Sequence, residues 1–384
     1  MQSRKQPKVH KYSRKRRRSV TSPGRTLLSI GFTFLIAGAV GVVGYSIAKP
    51  ILQYSSGDTS ETSTAETTFS TVDTAASVTG FAAAGTTITT TVTTETAAQS
   101  VSGGKGIRLS ASALESKTAL TQALEQAREE MPEGKILVIP LKIQGGAVLY
   151  ETQSELAKQC GAVQGTLTLS EIVDAAEEQG WTPVAECSLL YDNLLPDADA
   201  QAGYLVTDGS RWLDNKKENG GKAWASPFSD VTVNYLKELT REIAGAGFAQ
   251  IWCADVIFPQ FRQSDLDYIG ESVQSAERKD VLVQLVNQLA DTAGTVSVLV
   301  EVDAAGAAAG TEEVFDPDAL GVSGVVLDLG TNVQQGADVL QKISQAAPEM
   351  PLWITADAAE VSGEMEQLVL EFSLSGYVLY AENN

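Results

Sequence analysis

Apolar and polar positions divide the chain into three regimes. From Leu27 to Ala48 the sequence LLSIGFTFLIAGAVGVVGYSIA runs 22 residues without a charge. From Gln53 to about Gly104 large apolar residues are few and no period is sustained. After Gly106 short apolar runs alternate with longer amphipathic ones. Ser112–Met131 reads as a helix, with Leu114, Leu120, Leu124 and Ala127 at helical spacing and Pro132-Glu133-Gly134 as its stop. The predicted strands are 135–143, 182–189, 203–206, 249–258, 295–302, 324–329, 352–355 and 376–380. Helices fit between most of them, at 169–178, 231–246, 279–292, 336–346 and 363–372. The strand runs are rich in Val, Ile and Leu without clean alternation, as expected of strands covered on both faces.

Eight strands in roughly 250 residues match the size and rhythm of a (β/α)8 TIM-like barrel. An open doubly wound sheet is the competing arrangement. No G-x-G-x-x-G opens the first strand–helix unit, so a dinucleotide site is not expected, and no cofactor is inferred. Gly103-Gly104-Lys105-Gly106 reads as the end of a linker rather than as a phosphate loop.

The uncharged run is long enough to cross a bilayer, which takes about 20 apolar residues as helix. Arg14, Lys15, Arg16, Arg17 and Arg18 precede it, and such clusters stay on the cytoplasmic side. Residues 1–26 are therefore expected to be a cytoplasmic tail and 27–48 a single-pass signal anchor in the lipid bilayer. Ser46-Ile47-Ala48 also suits signal-peptide cleavage, but the run exceeds the usual apolar length of about 7–15 residues. Sixteen threonines fall between Thr59 and Thr96. A segment so composed buries too little to offset its ordering entropy, so 49–105 is expected to be a disordered spacer. Residues 106–384 form the predicted barrel domain, outside the cell.

Composition narrows the chemistry. Eleven of the 28 basic residues lie before Ile51, which leaves 17 against all 48 acids beyond it, a balance of −31. Such a polyanion repels phosphate backbones, so nucleic acid is not an expected partner. The one histidine, His10, lies in the basic tail. The barrel thus has no imidazole for Ser-His-Asp or Cys-His catalysis or for a His-ligated zinc. Acid–base work falls to Asp, Glu, Lys, Tyr or Cys. Cys160, Cys187 and Cys253 show no C-x-x-C spacing and suit small buried roles.

In a barrel, active residues project from the C-terminal strand ends. Those ends carry Lys142, Glu186 with Tyr191 and Asp192 beyond it, Asp255, Glu301 and Asp303, Asp328, and Asp357. Glu186, Asp303 and Asp357 read as solvated loop acids. Asp255 and Asp328 lie in strongly apolar runs, IWCADVIFP and GVVLDLG, where an unpaired carboxylate is costly. Carboxylates without histidine suit glycoside chemistry, in which one acid protonates the leaving oxygen and another is nucleophile or base. Asp255 and Asp328, with Glu301 third, are the candidate catalytic residues, and Lys142 is a candidate substrate-orienting cation. Tryptophans 212, 224, 252 and 353 offer faces for sugar rings. Trp212 and Trp224, in the polar stretch TDGSRWLDNKKENGGKAWASPF, are the better placed, and Tyr191 stands beside the mouth.

From Gly134 to Phe261 the chain resembles a TIM-barrel family of glycoside-hydrolase-like domains in bacterial exported proteins. PLKIQGGAVLY carries that family's lysine, glycine and tyrosine as Lys142, Gly146 and Tyr150. Trp224-Ala225-Ser226-Pro227 matches its W-x-x-P setting, and Gly247 to Ile251 followed by WCADVIFP stands where the family has its G-[FY]-x-E-I strand ending in F-D-Y-[IV]-R-F-P. The family's aspartate falls on Ala254, its tyrosine on Asp255 and its arginine on Ile257, while the early strand's aspartate falls on Pro140. The resemblance implies a barrel, a carbohydrate partner and a substrate-binding place for Tyr150. Two functions stay open: hydrolysis of a cell-wall or environmental polysaccharide, peptidoglycan included, or binding of such a glycan without catalysis. A metal-dependent hydrolase with an all-carboxylate site is a third reading.

Overall fold

The computed structural model describes residues 104–269, 278–310, 321–330, 333–358 and 362–380, together with Val273 and Val314. The basic tail, the apolar run and the Thr-rich stretch up to Gly103 lie outside the described residues. Among the described residues no helix is long and apolar enough to cross a membrane.

Eight strands close into one barrel in chain order: β1 (Gly104–Arg108), β2 (Ile136–Lys142), β3 (Thr182–Ser188), β4 (Gln250–Ala254), β5 (Ser297–Asp303), β6 (Val325–Asp328), β7 (Leu352–Asp357) and β8 (Gly376–Tyr380). Every neighbouring pair is parallel, including the closing pair β1–β8. Helices follow the strands, among them α1 (Lys117–Glu130), α2 (Leu169–Glu178), α3 (Asp230–Gly245), α4 (Arg278–Ala293), α5 (Val333–Ala346) and α6 (Ser362–Glu371). The parallel closed barrel excludes the open sheet.

Two of the expected elements are corrected. Gly104 and Lys105, read as the end of the spacer, begin the first barrel strand. The glycines there are a packing requirement: a Cβ on Gly106 would stand 2.7 Å from the Ile136 carbonyl oxygen, and one on Gly104 2.8 Å from Ile136 Cγ1. Residues 203–206 are not a barrel strand. They make only isolated bridges, Gly203 to Ala225 and Leu205 to Arg211, within the long ordered connection between β3 and α3. Short apolar content made the two segments hard to separate: β1 has little of it, and 203–206 has strand-like residues in a loop.

Strand parity splits the core into two shells. Ile136, Val138, Val184, Trp252, Leu299, Val326, Trp353 and Val378 fill the barrel interior, where Trp252 and Trp353 meet at 5.7 Å. Those two tryptophans therefore plug the barrel rather than offering faces to a sugar. The alternate positions, such as Leu137, Ala185, Ile251, Val300 and Leu327, pack outward against the helices. Helix starts follow from local chemistry. Ser116 and Ser229 cap α1 and α3, and Thr168 with Glu171 forms a reciprocal capping box on α2. Cys187 and Cys253 lie buried in the outer shell as free thiols, and burial pushes Cys187 up to about 12.

Candidate functional site

Two residues beyond the interior apolar layer, the same inward parity delivers a polar layer. Val184 is followed by Glu186, Leu299 by Glu301, Val326 by Asp328, Trp353 by Thr355, Val378 by Tyr380 and Gly106 by Arg108. All of this layer but Thr355 lines a cavity of about 710 Å³ at the C-terminal mouth, whose lining also includes Gln144, Asp255, Ile257 and Asp303. Another cavity, of about 490 Å³, lies beside Tyr204 and Phe228, and among the described residues Asp230 is its one charged lining residue. Glu186, Asp255, Glu301, Asp303 and Asp328 gather at the mouth.

Arg108 organises the polar layer. Its Nη2 donates to Glu301 Oε2 at 2.6 Å, and its Nε lies 2.7 Å from Glu186 Oε2. The latter contact is an ion pair without hydrogen-bond alignment. The three side chains are between 13% and 16% exposed, so they interact with little solvent screening. Burial pushes Glu301 up to about 8, because the opposing pull of Arg108 is shared with Glu186 and because Glu186, Asp328 and Asp255 add negative charge. Burial also raises Glu186, against Arg108 and with Asp255 and Asp328. Both glutamates are thus held above the ordinary carboxylate range by burial, which the one guanidinium they share does not offset. Glu186 is thus no solvated loop acid, and Asp357 is buried too. Asp303 is exposed and caps the helix that follows β5, accepting from Gly306 N at 2.7 Å.

Asp328 Oδ1 accepts from Tyr380 Oη at 2.9 Å, Thr355 Oγ1 at 3.0 Å and Gly330 N at 3.1 Å. These donors fix the carboxylate's orientation. Asp255 follows the last residue of β4, where strand parity would send its side chain outward. Its φ of 52° breaks the strand instead, and the side chain lines the cavity and accepts from Gln144 Nε2 at 2.9 Å. Aspartate is among the few residues that tolerate this left-handed backbone. Ala254, Pro140 and Ile257, the positions that depart from the resembling family's pattern, all line the same cavity.

The structure thus gathers Asp255, Glu301 and Asp328 at one mouth. The remaining candidates lie elsewhere or are already engaged. Lys142 reaches the cavity, yet its Nζ is 3.0 Å from Asp192 Oδ2 and donates to the Ser188 and Leu189 carbonyls at 2.7 and 3.4 Å. Tyr150 is buried, its hydroxyl 3.2 Å from Glu242 of α3. Trp212 is buried against Phe261 and donates to Asp265 at 2.9 Å. Tyr191 and Trp224 stack on each other, 4.3 Å apart and 5° from parallel. Tyr191 is tied to the rim by a bond from Gly145 N to its carbonyl at 2.7 Å, one residue from Gln144. Among the described residues no three Asp, Glu, Cys or His side chains converge as a metal-holding group.

Sequence reading missed Arg108 and Tyr380 and undervalued Glu186. The signal for Arg108 was the period-2 run Gly104-x-Gly106-x-Arg108, in which two interior glycines set the parity of the third position.

Residues 106–323, more than half of the chain, match the family described as "Putative glycosyl hydrolase domain". No curated protein matches the chain. Among solved structures it is similar to a hypothetical protein from Ruminiclostridium thermocellum, at 16% identity and a TM-score of 0.44, over 51% of this chain and 96% of that one. It is also similar to α-L-fucosidase isoenzyme 2 from Paenibacillus thiaminolyticus, at 12% identity and a TM-score of 0.47, over 72% of this chain and 46% of that one. A third is the glycoside hydrolase domain of PelA from Pseudomonas aeruginosa, at 14% identity and a TM-score of 0.39, over 66% of this chain and 89% of that one.

Proposed function

The chain belongs to the glycosyl hydrolase domain family matched by residues 106–323, and from that premise we propose that it cleaves a glycosidic bond in a polysaccharide at the barrel mouth. The observation that carries this reading is the carboxylate set around Arg108, in which Glu301 is pushed up to about 8. A carboxylic acid still protonated at neutral pH can give its proton to a leaving oxygen. Arg108 occupies Glu301 Oε2, so Oε1 is the atom that would carry that proton. Asp328 serves as the second carboxylate, nucleophile or base, with its orientation set by Tyr380, Thr355 and Gly330. Asp255 contacts the bound sugar from the rim. The stacked Tyr191–Trp224 pair offers an outer aromatic face for a further ring.

The substrate proposed is a cell-wall or environmental polysaccharide. Display outside the cytoplasm is supported by the uncharged run Leu27–Ala48 behind Arg14–Arg18, with the Thr-rich segment as a stalk. Resistance of the protein to carbonate extraction, with the barrel cut by protease added to intact cells, is the expected pattern. A soluble cytoplasmic protein would remove this part of the proposal.

A second reading, a glycan-binding barrel that no longer cleaves, is favoured by one observation: Ala254 and Pro140 line the cavity where the resembling family carries aspartates. Reducing ends released from purified cell wall and a polysaccharide panel decide between the two. Under the first reading wild type releases them, and Glu301→Gln or Asp328→Asn slows release by about 10²–10⁴-fold. Retention of glycan without release, by wild type itself, would establish the second. Neither retention nor release would dismiss both.

A further inference from the structure

The cavity's polar groups are unevenly matched. Five carboxylates line it, Glu186, Asp255, Glu301, Asp303 and Asp328, against the cations Arg108 and Lys142. Lys142 is neutralised by Asp192 and spends further donors on two carbonyls. Arg108 faces Glu186 and Glu301. The Gln144 amide donates to Asp255 and the Tyr380 hydroxyl to Asp328. The ammonium, amide and phenol donors named here are therefore aimed at the cavity's own acceptors, and among the described residues of the lining carboxylates outnumber cations five to two.

One side chain adds a separate indication. Ser188 is 3% exposed and lines the cavity, and its Oγ has no hydrogen-bond partner. A buried hydroxyl of that kind costs stability unless something else satisfies it. Ser188 stands across from Ala254 in the β3–β4 register, beside Asp255. The small Ala254 side chain stands between the two, paired with Ser188 in register and preceding Asp255 in the chain. An N-acetyl group brings a carbonyl that needs a donor, and a uronate, sulfate or phosphate brings a negative charge. An ammonium brings three donors and a positive charge, and this lining complements it.

We propose that the sugar taken by this cavity carries a free, protonated amine, as in a de-N-acetylated amino-sugar polymer. The inference rests on the glycan-site reading and specifies its substrate class. Asp255 and Ser188 form the corner that receives the amine, and the remaining carboxylates set the field that favours a cation. Acidic glycans are excluded by the same field.

The test is binding rather than turnover. The full-length chain is titrated at about 150 mM salt, near physiological ionic strength, with glucosamine and galactosamine oligomers, their N-acetylated forms and the parent neutral oligosaccharides. The amine forms are expected to bind at least ten-fold tighter than the N-acetylated ones, about 1.4 kcal/mol. Asp255→Asn keeps a side chain that tolerates the left-handed backbone, so it should fold, and it should remove most of that preference. Ser188→Ala should lower it by a smaller factor. Glu125→Gln, at an exposed position of α1 that does not line the cavity, removes the same charge and should leave the preference intact. Equal affinity for amine and N-acetyl forms, or equal loss in Glu125→Gln and Asp255→Asn, would overturn the amine proposal while leaving a glycan site standing. Failure to bind any of the sugars would overturn the glycan-site reading as well.

Discussion

Asp255 illustrates how a single backbone angle changes a side chain's role. Its neighbour Ala254 ends β4 facing the cavity, and continued strand geometry would turn Asp255 to the helix side. At φ 52° it lines the cavity instead. The left-handed region costs a residue with a Cβ about 1–2 kcal/mol, less for Asp and Asn. Asp255→Val is therefore expected to lower unfolding free energy by about 1–2 kcal/mol, whereas Asp255→Gly should leave it nearly unchanged. Both should lose sugar affinity alike, and denaturant titration beside a binding assay separates the two effects. An apolar run with one embedded acid was enough to single this residue out. Its direction was not legible, because a one-residue step in a strand predicts the opposite face.

Pairing of side chains across strands belongs to the scale of elements. Lys142 at the end of β2 braces the end of β3 and the loop beyond through Asp192 and two carbonyls. Pro140 contributes to that placement: it has no N–H, and the β2–β3 register shifts between Pro140 and Lys142. Lys142→Met would leave Asp192 buried without its cation, and the expected loss is about 3–5 kcal/mol. Joint replacement, Lys142→Met with Asp192→Leu, should recover a good part of it by removing the orphaned charge. If instead the single variant keeps its melting temperature and only loses sugar affinity, Lys142 touches substrate as its sequence position suggested. β1 shows the complementary lesson. Its five residues carry two glycines and two cations, so no apolar run marked it, yet it closes the barrel and supplies Arg108.

At the scale of the whole barrel, stability and chemistry share one proton. Glu301 has an ordinary value of 4.5 and is pushed up to about 8 in the folded protein. Between those values the folded state holds a proton that the unfolded chain has released, so raising the pH favours unfolding. The stabilisation is full below the ordinary value and is lost as pH rises through about 8. Melting temperature is expected to fall from about pH 5 to about pH 8.5, and the fall should flatten in Glu301→Gln, which cannot ionise. The same ionisation removes the proposed proton donor, so the alkaline limb of turnover should lie near pH 8 in wild type. A fall that persists unchanged in Glu301→Gln would place the proton on another carboxylate of the cavity, and a flat profile in wild type would mean that none of them holds one.

Much of the architecture is written in local pattern. Buried strand runs, amphipathic helices and their caps depend on near neighbours, so seven of the eight strands and the longer helices between them were legible in order, while the short helices such as Glu155–Gln159 and Ala304–Ala309 were not. The absence of histidine from the barrel and the acidic balance are likewise properties of the sequence itself, and they directed the chemistry toward carboxylates. What only the tertiary structure decided is which carboxylates meet. Arg108 and Glu301 are 193 positions apart, and nothing local to either names the other. Closure of β1 against β8 brings them to 2.6 Å, and burial then turns an ordinary glutamate into a neutral acid. The fold likewise withdrew Tyr150 and Trp212 into the packing, because their neighbours Glu242 and Phe261 are set by tertiary contact and not by spacing along the chain.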